Sequence, residues 1–352
     1  NLPEPAVDPR NHFNTVLYTG DSASSHEITG VGFQPDLLWF KNRTDDNNNP
    51  NLIDSVRGDF SGGSYMGRIY SNATQVEQDG YVESLDSDGF TLTGSNDNTN
   101  LDTKLYVAWN WKAGASNTAV TESGNNPGGT HKANVAAGFS IVSYVGTGAA
   151  GTVTHGLGAA PEMIIIKNRG VNDPWAVYHA SNTAAPETDY LVLNTTAATV
   201  DSAAWWNDTA PTSSVFTVAT DHSVNADAEN YIAYCFRSIE GYSNIGAYLG
   251  NGNNDGPFVY TGFRPKWLLI TNVTDGDQEW RVWDSARSTS NVMDDTMNIS
   301  STDNEETANY LNVDFLSNGF KLRIADGAMN VNAKTHVFMA FAETPFKYSN
   351  AR

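Results

Sequence analysis

The sequence predicts an all-β chain of three tandem antiparallel β-sandwiches, lectin-like or jelly-roll-like, each of about 100 residues. Three observations predict it. A motif set recurs three times, and short apolar stretches alternate with polar residues at the period of a half-buried strand. Gly, Asn, Thr and Ser are abundant, aromatics reach 11 % and charged residues only 17 %, a palette of strands and polar turns.

Residues 1–12 read as an N-terminal arm; Asn1 to Arg10 holds three prolines and no apolar core, unlike a signal peptide. The repeat then begins. Tyr18-Thr19-Gly20, Tyr144-Val145-Gly146 and Tyr248-Leu249-Gly250 are each followed 17 positions after the tyrosine by Pro35, Pro161 and Pro265. Asn42, Asn168 and Asn272 stand seven residues beyond the prolines, and Ser55, Ser181 and Ser285 twenty beyond. Between proline and asparagine run Leu37-Leu38-Trp39-Phe40, Met163-Ile164-Ile165-Ile166 and Trp267-Leu268-Leu269-Ile270. These runs are predicted as central strands covered on both faces.

Further on, Phe90/Leu92, Phe216/Val218 and Phe320/Leu322 alternate with polar residues, and each unit closes on an aromatic-rich run ending near Trp111, Phe236 and Phe341. The units therefore span 13–114, 139–240 and 241–352. Residues 115–138, with Gly124, Pro127, Gly128 and Gly129 among small polar residues, are predicted as a flexible linker. Glu240-Gly241 joins units two and three directly, which predicts a rigid pair.

The formal net charge is −20, from 40 acidic and 20 basic residues. Nucleic acid and anionic membrane surfaces are disfavoured as partners, because both recruit concentrated Lys and Arg. The longest apolar runs are far shorter than the ~20 residues of a membrane helix. One cysteine, Cys235, excludes a disulfide framework within the chain and reads as a buried thiol.

The repeat markers resemble a family of tail-fibre-like and virion proteins of tailed bacteriophages, many marine. The resemblance is carried by Gly30-Val31-Gly32-Phe33-Gln34-Pro35 through Lys41-Asn42-Arg43, by Gly256-Pro257-Phe258-Val259-Tyr260-Thr261-Gly262-Phe263-Arg264-Pro265, by Asp314 to Arg323 and by Pro345 to Arg352. It covers the chain from about Phe13 onward. It implies a virion appendage that binds host-surface polysaccharide and other virion proteins, commonly as a homotrimer, and brings no catalytic residues with it.

Candidate chemistry is sparse. Gly146-Thr147-Gly148-Ala149-Ala150-Gly151 fits a dinucleotide-loop pattern, but strand-like Thr152-Val153-Thr154 follows instead of a helix, so a hairpin turn is expected. The seven histidines show no metal spacing, and no Gly-x-Ser-x-Gly elbow is present. Asp45/Asp46, Asp86/Asp88, Asp275/Asp277 and Asp294/Asp295 read as turn acids, with calcium the cofactor they would suit and metal binding otherwise undefined. A carboxylate-lined groove would point instead to a glycan-cleaving enzyme. Trp39, Trp109, Trp267 and Trp283 read as core. The adjacent Trp205 and Trp206 would face opposite ways in a strand, leaving one ring exposed or covered by a neighbour. With Asn207 and Asp208 beside them, they form the candidate carbohydrate-binding corner: a ring face with amide and carboxylate acceptors suits a sugar. A contact between units or subunits is the alternative use of the same rings.

Overall fold

A computed structural model describes residues 7–307 and 310–343. The molecule is nearly all β, and among the described residues every paired strand is antiparallel to its neighbour apart from one isolated bridge. Unit one contains β1 (Phe13–Thr19), β2 (His26–Thr29), β3 (Leu37–Asn42), β4 (Asn51–Asp54), β5 (Gly67–Tyr70), β6 (Gln78–Asp79), β7 (Val82–Asp86), β8 (Gly89–Leu92) and β9 (Leu105–Trp111). They form a large sheet β1-β9-β3-β4-β5-β6 and a small sheet β2-β8-β7.

The next stretch holds β10 (Thr118–Val120), β11 (Gly129–Asn134), β12 (Phe139–Val145), β13 (Gly151–Thr154), β14 (Met163–Asn168), β15 (Ala176–His179), β16 (Asp189–Val192) and β17 (Val200–Asp201). Helix α1 (Ala203–Trp206), β18 (Val215–Val218), α2 (His222–Asn225) and β19 (Asn230–Phe236) complete it. The large sheet here is β10-β11-β12-β19-β14-β15-β16-β17, facing the pair β13-β18. The last stretch has β20 (Ser243–Leu249), β21 (Phe258–Tyr260), β22 (Pro265–Asn272), β23 (Arg281–Asp284), β24 (Asp295–Asn298), β25 (Glu306–Thr307), β26 (Val313–Leu316), β27 (Gly319–Leu322) and β28 (Thr335–Ala342). Its sheets are β20-β28-β22-β23-β24-β25 and β21-β27-β26. In all three large sheets the opening strand pairs with the closing strand, and the post-proline strand lies on the closing strand's other side. Pro345 to Arg352, part of the family resemblance, lies outside the described residues.

The post-proline strands are buried on both faces because each serves two cores. In β3, Leu38 and Phe40 pack toward the small sheet of their own unit, while Leu37 and Trp39 enter a second core. That second core is shared: Trp109, Trp111, Ile165, Val177, Tyr234, Trp267 and Met339, from all three large sheets, lie within it. The units are therefore not three separate sandwiches with only the last two in contact. Inner faces that would cost roughly 25 cal/mol per Å² of apolar area left in water are buried against one another.

The segment 115–138 is not a flexible linker. Strand β11 pairs with β12 along its length, β10 extends the sheet, and Lys132 reaches across to Asp36 and Ser55 of unit one. Gly129 reflects close packing: a Cβ on it would stand 2.0 Å from the Ser143 carbonyl oxygen. Within the arm, Val7 enters the shared core and Pro9–Asn11 forms a 3-10 helix capped by Asp8.

Equivalent polar positions repeat the same bonds. The side-chain oxygens of Asn42, Asn168 and Asn272 each accept two backbone N–H groups of the following turn. The hydroxyls of Tyr18, Tyr144 and Tyr248 donate to the carbonyls of Thr99, Val224 and Met329. The residues after those carbonyls, Asn100, Asn225 and Asn330, are buried and tie the first crossover loop to the closing segment. Asn225 takes the Thr147 N–H and donates to the carbonyls of Ala149 and Ala219. Asn225→Ala is expected to destabilise the fold by about 1–3 kcal/mol, read from the midpoint of a urea titration at unchanged slope. The register slips once: Leu37, Met163 and Trp267 pair with Asp54, His179 and Asp284, so Ala180, not Ser181, takes the place of Ser55 and Ser285.

The units meet cyclically at three corners. Tyr234 of unit two donates to Asp54 of unit one at 2.8 Å, and Trp109 of unit one donates to Asp284 of unit three at 3.0 Å. Asp54 and Asp284 are ion-paired to the buried Arg57 and Arg287. Arg57 continues to Glu77, which also takes Arg169 of unit two; Arg287 continues to Glu305, which also takes Arg43 of unit one. The third corner is neutral. His179 stands where the aspartates do, its Nε2 against the Phe338 carbonyl at 3.3 Å and its Nδ1 accepting from Ser181 N–H. These partners place the proton on Nε2.

Burial pulls the pKa of His179 down to about 4, and that of His336 likewise. His336 takes the stacked position held by Tyr106 and Tyr231 in the other units. Folded values below the unfolded one mean that the unfolded chain binds more protons. Stability is therefore fully present above about pH 6.5 and falls as pH drops toward about 4, by about 3 kcal/mol per histidine. His336→Tyr is expected to remove part of that loss, measured as a smaller drop in urea midpoint between pH 7 and pH 4.5.

Candidate functional site

The predicted sugar-binding corner is assembled differently from the strand expected. Ser202-Ala203-Ala204-Trp205-Trp206-Asn207 forms the short helix α1: Ser202 caps its N-terminus and Asn207 closes it in the left-handed region at φ 53°. Along the chain α1 occupies the slot that strands β7 and β26 take in the other units. Helical geometry turns both tryptophans inward, so neither ring faces out. Trp205 is 5 % exposed and stacks on Tyr190 at 3.6 Å between ring centroids; Trp206 is 2 % exposed and donates its indole N–H to the Asp189 carbonyl. Asn207 and Asp208 are exposed, but the rings meant to hold a sugar beside them are packed within their own unit. Trp39, Trp109, Trp267 and Trp283 are core, as expected.

The glycine loop 146–151 is not a hairpin. It carries the chain from β12 in the large sheet to β13 in the small one, and Gly146 and Thr147 are bonded to Glu229 and Asn225. His26, His155, His179 and His336 bond to amides, backbone groups or Asp21. Cys235 is buried and free, with its thiol pKa pushed up by desolvation.

The turn acids mostly serve their own loops. Asp88 accepts from the N–H groups of Gly30 and Gly32, Asp86 from Ser84 and Thr91, and Asp45 and Asp275 pair with Lys104 and Lys334. Among the described residues, no three His, Cys, Asp or Glu side chains converge as metal ligands do.

Two surfaces stand out. The first is a cleft of roughly 480 Å³ between units one and three, lined by Asp46, Asn298, Asp303, Glu305, Glu306 and Thr307. It is the carboxylate-lined groove that would suit glycan cleavage. Its acids are engaged: Asp46 accepts Asn304 N–H, Asp303 accepts Ser301 and Asn298, Glu305 is held by two arginines, and Glu306 accepts Tyr310. The Ser301 hydroxyl, foremost, holds Asp303 below the usual carboxylate range. A general acid for glycoside hydrolysis needs the opposite shift.

The second surface is the outer face of the small sheet of unit three. Along β21, Val259 points into the core, while Phe258 and Tyr260 point out, 45 % and 66 % exposed. Phe258 lies opposite Lys321 and Tyr260 opposite Gly319. Lys321 is bonded to Asp255 and the Gly256 carbonyl, and Arg323 is paired with Asp314 on the adjoining strand. Position 319 admits only glycine because the backbone closes on it: a Cβ there would stand 2.1 Å from the Val259 carbonyl oxygen and 3.0 Å from two carbons of the Phe258 ring, which lies over it. Sequence reading missed these rings, although both lie in the quoted Gly256–Pro265 stretch. The available signal was their i, i+2 spacing around Val259.

The family described as a domain of unknown function (DUF7483) matches residues 8–345. No curated protein and no solved structure matches the chain.

Proposed function

The chain belongs to the DUF7483 family, and we propose that it is an appendage of a bacteriophage virion that binds host-surface polysaccharide without cleaving it. The observation that carries this reading is the pair of aromatic rings held in water on a rigid sheet, beside charged and amide-rich loops. Exposed large rings on a packed scaffold mark contact surfaces. The tail-fibre-like sequence motifs supply the biological setting, and the net charge of −20 disfavours nucleic acid as the partner. Other virion proteins are the second class of partner proposed. A homotrimer remains part of the proposal by resemblance, formed through outer surfaces because the three inner faces of one chain already cover one another.

Cleavage is the second reading, favoured by the acidic cleft between units one and three. Incubating the protein with polysaccharide extracted from host cells separates the readings. Retention of the polysaccharide with no new reducing ends is the expected result. Release of reducing ends, abolished by Asp303→Asn, would establish a depolymerase. Neither retention nor cleavage would leave a spacer or decoration protein and overturn the proposal.

A further inference from the structure

We infer that the outer face of β21 and β27 takes an uncharged, extended saccharide, with two neighbouring sugar rings lying on Phe258 and Tyr260; this rests on the saccharide-binding reading above. Side chains two apart on a strand share a face and stand roughly 7 Å apart along it. That separation is one that adjacent rings of an extended glycan can span. The faces of the two rings offer apolar, electron-rich surface to sugar C–H groups. The positions matching them in the other small sheets are Glu27 and Thr29 on β2 and Thr152 and Thr154 on β13, so the aromatic platform belongs to unit three. The glycine opposite Tyr260 lets the Phe258 ring lie against the sheet, since two of its carbons stand where they would be 3.0 Å from a Cβ at Gly319.

Charge selects the class. Lys321 carries its counterion in Asp255 at 2.8 Å, and Arg323 carries Asp314 at 3.2 Å. The face is locally neutral, within a chain of net charge −20 that repels a polyanion at distance. A uronate or sulfated chain would have to break one of these pairs to gain a cation. An uncharged one needs only hydroxyl hydrogen bonds to groups such as the Asp255 carboxylate, which is 83 % exposed.

The test uses the whole chain and the double variant Phe258→Ala/Tyr260→Ala. The probes are cello-, laminari- and manno-hexaose as neutral glycans and an alginate hexamer as the acidic one, with binding read by saturation-transfer NMR and calorimetry. Both rings are exposed, so the variant is expected to keep the parent melting temperature. The expected result is binding of at least one neutral hexaose by the parent, weaker on the order of tenfold or more in the variant, and weaker alginate binding throughout. Neutral binding that survives in the variant would move the site elsewhere while leaving the saccharide reading intact. Preference for alginate would overturn the ligand class. A parent that binds no probe, with an oligomer mass that falls in the variant, would make the face a contact between copies and overturn both readings.

Discussion

Arg57→Ala is expected to remove about 3–5 kcal/mol of folding stability, because it strips the buried cation from Asp54 while the aspartate stays. Asp54 and the Arg57 guanidinium are fully buried, and Glu77 nearly so. Arg57 also donates to the carbonyls of Leu52 and Gly67, which would be left short of a donor. Arg169 reaches Glu77 from unit two but not Asp54, so it does not replace the lost charge at the aspartate. The loss should appear in a urea titration as a lower midpoint with the slope preserved, and as one transition, because the three units share a core. Two separated transitions, with only one shifted, would mean that the corner does not couple the units. Arg287→Ala is expected to act alike at the matching corner, where Trp109 of unit one depends on Asp284.

Trp206→Ala is expected to cost a similar amount, about 3–5 kcal/mol, through the cavity left by a buried indole. The ring sits edge-on to Tyr178, and its N–H satisfies the Asp189 carbonyl. The ring itself is buried, so saccharide binding under native conditions should be unchanged as long as the variant folds. A variant with parental stability and lost binding would restore the corner as a binding site. Replacing Asn207 by glycine instead should be close to neutral, since that position already lies at positive φ.

The strands and their faces were legible because their signal is local. Proline, a four-residue apolar run and asparagine recur in fixed register, and a strand's period of two needs no partner to be seen. The same signal failed wherever a partner decided the outcome. In β3 the run Leu37-Leu38-Trp39-Phe40 alternates between two dry cores, which looks like no alternation at all. In 129–134, Thr, His, Lys and Asn have the composition of a linker and become a strand only because β12 presents an open edge to pair with. In 203–206, two adjacent tryptophans fitted a strand, but a Ser cap, two alanines and an Asn able to adopt positive φ favour a helical turn there.

What the sequence determined by itself is the all-β class, the recurring apolar runs of the central strands and the burial of Trp39, Trp109, Trp267 and Trp283, since each is a pattern of neighbours along the chain. The tertiary structure alone decided how the units close on one another and which rings remain in water. Asp54 meets Tyr234, Asp284 meets Trp109 and His179 meets Phe338 across gaps of more than a hundred residues. Phe258 and Tyr260 differ from buried aromatics only in the side of the sheet they face. Both are consequences of packing between segments far apart in sequence, where burial is settled by what lies opposite a residue and not by the residue itself.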